Sequence, residues 1–81
     1  MQIPVLLFAA AKQAAKSEAI TVDVPEDPRA ADVLQAIGDQ VPQLTALLPS
    51  CRLAVDCCYV GDDAAIRPGS EVALIPPVSG G

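Results

Sequence analysis

EDPRAADVLQAIGDQ, residues 26–40, is where the hydrophobic period of the chain changes. Ala30, Val33, Leu34 and Ile37 recur at i, i+3, i+4 and i+7, so they share one face of a helix. Asp27 is placed to cap that helix with its carboxylate. Pro28 suits the first helical position, where a missing N–H costs nothing. The helix should end between Gly38 and Gln40, ahead of Pro42.

Upstream, the period is two. QIPVLLF, residues 2–8, sends Ile3, Val5 and Leu7 one way and Pro4, Leu6 and Phe8 the other. AITVDV, residues 19–24, puts Ile20, Val22 and Val24 on one face. The two runs read as a hairpin, and the alanine-rich segment between them, residues 9–16, has room for a turn of helix. Pro4 is awkward inside a strand unless its missing N–H falls at a bulge or a non-bonded site.

Downstream, QLTALLP allows another short turn. RLAVDCCYV, residues 52–60, reads as two short strands with a bend, and Gly61-Asp62-Asp63 breaks the run. RPGS is a turn in which Pro68 presets its angle and Gly69 takes the positive φ of a type II geometry. EVALI, residues 71–75, is the last strand, with Val72 and Leu74 alternating against Ala73 and Ile75. Pro76 and Pro77 cannot donate to a ladder, so the sheet stops there.

The order is β-β-α-β-β-β, an α+β chain with one main helix. One helix across one face of a mixed sheet buries both apolar surfaces. If the first and last strands pair in parallel at the centre, the result is a β-grasp fold of the ubiquitin-like kind. Residues 1–77 would form that body and residues 78–81 a flexible Gly-Gly tail.

With 81 residues the chain has room for one domain, and its 52% apolar content is far from that of a disordered chain. There is one Phe, one Tyr and no Trp, so Val, Leu and Ile must build the core. The net charge is −5 and the five basic residues are scattered, which argues against nucleic acid as a partner and favours a basic protein surface. No apolar run is long enough to span a bilayer. No basic region precedes the first apolar stretch, so a signal peptide is not expected.

Three cysteines, two of them adjacent, are not a disulfide framework. Cys57 and Cys58 would point to opposite faces of a strand, and with no His in the chain no metal site is expected. The thiols read as small hydrophobes of a cytoplasmic, reduced chain. Glu26-Asp27 and Asp62-Asp63 read as solvated loops.

The ending IPPVSGG has a chemical reading. A glycine carboxylate has no side chain beside it, so Gly81 could pass down a narrow channel and be activated by ATP as an acyl-adenylate. Gly80 keeps the approach slender. Pro76 and Pro77 hold the exit extended, so that Val78 to Gly81 reach roughly 13 Å from the body.

EVALIPPVSGG, VLLFA, LAVDCCYV and RPGSEV together resemble the small subunits of molybdopterin synthase, MoaD-type sulfur carriers of the ubiquitin-like superfamily. The resemblance covers essentially the whole chain. It implies a non-catalytic sulfur-donor subunit that binds no cofactor stably. An adenylyltransferase related to ubiquitin-activating enzymes would use ATP to activate Gly81. A sulfurtransferase system would convert it to a thiocarboxylate. The tail would then enter the large catalytic subunit, in a heterotetramer, and donate sulfur to cyclic pyranopterin monophosphate during molybdenum cofactor biosynthesis. Gly80, Ser79 and Val78 would thread the partner's channel, and Pro77 and Pro76 would set the exit angle. Ile75, Phe8 and Leu6 would form an apolar docking patch, with Leu53 and Val60 as fainter candidates. Many such carriers have Asn where this chain has Asp56, which removes a hydrogen-bond donor at that position. The same tail would also serve a carrier for thiamine thiazole, cysteine or tRNA thiolation, or a ubiquitin-like modifier; a plain binding module with an inert tail is the remaining alternative.

Overall fold

The computed structural model describes residues 1–76. In chain order the elements are β1 (Gln2–Leu7), α1 (Ala9–Ala15), β2 (Ala19–Asp23), α2 (Ala30–Gln40), β3 (Arg52–Val55), β4 (Cys58–Tyr59) and β5 (Val72–Ile75). Single 3-10 turns at Pro42–Leu44 and Leu48–Ser50 connect α2 to β3. The strands form one sheet in the order β2-β1-β5-β3-β4. β1 runs parallel to β5 and antiparallel to β2, and β3 is antiparallel to both β5 and β4. This is the expected β-grasp, with its first and last strands side by side at the centre.

The core follows from the two periods. Ile3, Val5 and Leu7 of β1, Val22 of β2, Leu53 of β3, and Val72 and Leu74 of β5 are buried on one face of the sheet. Ala30, Val33, Ala36 and Ile37 of α2 close over them, joined by Leu44 and Ile66 in a single cluster. Burying side chains such as Val33 and Ile37 contributes about 1.5–3 kcal/mol each relative to exposure. Leu34 is half-buried at the margin.

Pro4 is accommodated by register. Met1 and Val24 exchange backbone hydrogen bonds, and the Leu7 N–H reaches Glu18 O, so Ile3, Val5 and Leu7 point their amides at β2. Pro4, opposite Thr21, is a non-bonded position on that side. Its nitrogen faces the β5 side, where pairing begins only at Val5 opposite Val72. The missing N–H therefore interrupts no ladder.

Three expectations need correction. The connection between β1 and β2, expected to hold one turn of helix, is longer than that: the seven-residue helix α1, whose buried Ala11 joins the core. Asp27 does not cap α2. It lies outside the helix at φ 53°, and the helix begins two residues after Pro28. Arg29 holds the cap position, its N–H donating to Asp32 Oδ2 at 2.8 Å. The first helical amides, those of Ala30 and Ala31, donate to Ala64 O at 2.8 Å and Asp62 O at 3.0 Å. Pro28 is buried, and its carbonyl accepts from the Ile66 N–H at 2.9 Å. The distant segment 62–66 thus closes the helix end that a local carboxylate was expected to close. Last, β5 starts at Val72, because Glu71 is held by Asp56.

The turn at Pro68-Gly69 forms as read, with Gly69 at φ 85° and the Ser70 N–H donating to Arg67 O at 3.1 Å. Pro76 is buried at the end of β5. The expected boundary after Pro77 lies outside the described residues.

Candidate functional site

The face of the sheet opposite α2 is built by alternation. On β5 the residues turned away from the core are Ala73 and Ile75, on β3 Arg52 and Ala54, on β1 Leu6, and on β4 Tyr59. Strand register lines them up. Leu6 pairs with Ala73, Ala73 with Ala54, and Ala54 with Tyr59, which makes one row across four strands. Ile75 lies opposite Arg52 in the next row, and Phe8 follows Leu7 at the same level of the sheet.

The two alanines of the first row are short, so the face dips. A trough of about 290 Å³ forms, lined by Phe8, Ala54, Cys57, Tyr59, Glu71, Ala73 and Ile75. Ala54 and Ala73 are its floor, 4% and 8% exposed. Phe8 and Tyr59 are its walls, 47% and 57% exposed. Large rings standing this far into solvent beside a small-residue floor make an apolar surface suited to another protein's side chains. The Arg52 guanidinium lies over the Tyr59 ring at 5.0 Å from its centroid and braces that wall.

Of the expected patch, the structure brings Phe8 and Ile75 together in the trough. Leu6 is half-buried beside Phe8, outside the trough lining, and Pro76 follows directly on Ile75. Ile75 and Pro76, the last two described residues, thus stand at the end of β5 beside the trough. Pro77, Val78, Ser79, Gly80 and Gly81 lie outside the described residues. Leu53 is a correction: it is 2% exposed and sits in the helix-side core, because its pairing with Leu74 puts it on that face. Val60 is half-buried against the core near the start of α2. Tyr59 and Ala73 were missed by sequence reasoning.

Asp56 and Cys57 form the two-residue turn between β3 and β4, both at positive φ, 50° and 69°. That is the mark of a type I′ hairpin turn. The turn sends Cys57 into the trough wall. Cys58, paired with Val55, belongs to the other face. All three thiols are free, and burial pushes the half-buried Cys51 thiol up. The acidic pairs serve loops: Asp62 and Asp63 lend backbone carbonyls to Ala31 and to Arg29 Nη1, the latter at 2.7 Å. Among the described residues no group of His, Cys, Asp or Glu converges to hold a metal ion, and no helix is long and apolar enough to cross a membrane.

The ThiS family model matches residues 5–81, from the middle of β1 through the tail. The chain belongs to the ThiS family. Curated relatives of this ThiS-family chain include the molybdopterin synthase sulfur carrier subunit of Chlamydomonas reinhardtii, 36% identical over 100% of both chains. The protein of the same description from Homo sapiens is 34% identical over 99% of this chain and 94% of that one. In structure, SAMP1 from Haloferax volcanii superposes with a TM-score of 0.84 at 28% identity, covering 100% of each chain. The ThiS-family fold and the trough therefore occur together in this chain, with the strand that leads to the tail between the trough's two walls.

Proposed function

We propose that this chain is the sulfur carrier subunit of a molybdopterin synthase. The reading is carried by the full-length match to relatives with that role. On this reading Gly81 is adenylated by an activating enzyme at the expense of ATP. Its acyl-adenylate is a mixed anhydride, so a sulfur nucleophile displaces AMP and leaves a thiocarboxylate. Gly80, Ser79 and Val78 thread the channel of the large subunit, where the thiocarboxylate gives its sulfur to cyclic pyranopterin monophosphate.

The trough is the docking surface for the large subunit. An apolar side chain of the partner seats over Ala54 and Ala73 between Phe8 and Tyr59, while Ile75 and Pro76 set where the tail departs. The body performs no chemistry; it aims the carboxylate. Docking at Ile75 and Pro76 raises the effective concentration of the Gly81 carboxylate at the channel, because only a few residues of chain separate it from the docked surface.

The test is mass spectrometry of the full chain after incubation with activating enzyme, ATP, a persulfide sulfur source and a thiol, which reduces the acyl disulfide left by persulfide attack to the thiocarboxylate. The expected gain equals the difference between sulfur and oxygen, and it disappears when Gly80 and Gly81 are removed. Sulfur transfer to the pterin precursor by the loaded chain and the large subunit completes it. A chain that is never thiolated, or one that ends in isopeptide bonds to lysine, would overturn the reading.

A further inference from the structure

Gln40 ends α2 beside β2, and β2 is an edge strand of the sheet. The β1–β2 ladder decides which β2 groups face outward. Glu18, Ile20, Val22 and Val24 point toward β1, so Ala19, Thr21 and Asp23 turn their N–H and C=O groups away from the sheet. Both groups of Asp23 are taken. Gln40 Oε1 accepts from the Asp23 N–H at 2.9 Å, and Gln40 Nε2 donates to the Asp23 carbonyl at 2.8 Å. A residue of an added strand would make this same pair of bonds, so the primary amide stands in for one residue of a sixth strand. At the other end, Ser17 Oγ donates to Ala19 O at 2.7 Å and lies 3.4 Å from Ala19 N. Of these three outward-facing residues of β2, Thr21 alone keeps both groups without a protein partner among the described residues.

We propose that Gln40 keeps the outer edge of β2 from pairing with a second copy of this chain. An open edge is a template for strand addition, and the register of this one is self-complementary. Two β2 strands running antiparallel about a two-fold axis at Thr21 set Thr21 opposite its own copy and Ala19 opposite Asp23. Such a contact is isologous and closes at two chains. No like charges meet in it, since each Asp23 faces an alanine. Its outer rungs need the Asp23 groups, which the Gln40 amide occupies in both copies, and the Ala19 groups. At Ala19, Ser17 leaves the carbonyl a second lone pair and meets the N–H only at 3.4 Å, so Gln40 is the stronger block. Thr21 by itself offers a single rung, and the small net value of a hydrogen bond in water leaves that too weak to hold two molecules. The inference is independent of the sulfur chemistry, because it concerns the edge opposite β4 and not the trough.

Sedimentation velocity of the full chain, from micromolar to millimolar concentration, tests it. Gln40→Ala and Gln40→Leu should each lower the self-dissociation constant by about tenfold or more. Adding Thr21→Pro, which deletes the central outward N–H, should return it to the parent value. Amide exchange gives a second reading: at low concentration the Asp23 amide of Gln40→Ala exchanges faster than in the parent, and it slows again as concentration rises. A folded Gln40 variant whose self-association stays within about twofold of the parent overturns the proposal. Association that ignores Thr21→Pro overturns it equally, since another surface would then be responsible.

Discussion

Asp56 and Glu71 exchange two hydrogen bonds across fifteen residues of chain: the Asp56 N–H donates to Glu71 O at 2.8 Å, and the Glu71 N–H donates to Asp56 Oδ1 at 2.9 Å. The pair ties the β3–β4 turn to the residue just before β5. It explains why a carboxylate serves at this position: the side chain is asked only to accept, and Asp and Asn both supply a carbonyl-type oxygen and both tolerate positive φ. Asp56→Asn should leave stability within about 0.5 kcal/mol of the parent in urea unfolding. Asp56→Ala loses the acceptor and puts a side chain without local hydrogen bonds at φ 50°, so it should lose about 1–2 kcal/mol.

Cys57 stands at the second central position of the same turn with φ 69°. A type I′ turn favours glycine there, because a Cβ is crowded in the left-handed region. Cys57→Gly should raise stability by about 0.5–1 kcal/mol, seen as a higher urea midpoint with an unchanged slope. A loss of stability would mean that the thiol's contacts in the trough outweigh the backbone strain.

Phe8 and Tyr59 are exposed walls of the trough, so removing either should scarcely move the melting temperature. On the proposed function, affinity for a molybdopterin synthase large subunit is the sensitive quantity. Phe8→Ala and Tyr59→Ala should each weaken docking by about 2 kcal/mol, roughly thirtyfold in Kd by calorimetry. Unchanged affinity in both variants would move the interface elsewhere.

Cys51 supplies a pH signature. Desolvation by burial raises its thiol above the ordinary value of 9.0. The folded chain therefore holds that proton more tightly than the unfolded chain does. The associated stability is complete below the ordinary value and is lost as pH climbs through the raised one. Urea midpoints of the parent should fall over that alkaline window more steeply than those of Cys51→Ala. At neutral pH a maleimide should label exposed Cys57 and Cys58 before Cys51.

Strand and helix were legible wherever the signal was local. β1, the face of β2 and the inward face of β5 follow from apolar residues at every second position, and α2 from Ala30, Val33 and Ile37 at helical spacing. The start of α2 was misread because Asp27 and Pro28 form a good local cap signal. The real partners of the first helical amides are carbonyls of Asp62 and Ala64, some thirty residues away. Tyr59 was not legible as a site residue. Its face depends on the two-residue turn ahead of it, and an Asp-Cys pair announces a type I′ turn far less clearly than Asn-Gly.

Taken alone, the sequence determined the periods, the breaks between elements and the Gly-Gly ending, since these depend only on neighbours along the chain. The trough, the Asp56–Glu71 tie and the Gln40 plug were decided by tertiary structure. Each joins residues from separate elements, and only the parallel register of Val5 with Val72 and the antiparallel registers around it bring them within contact distance.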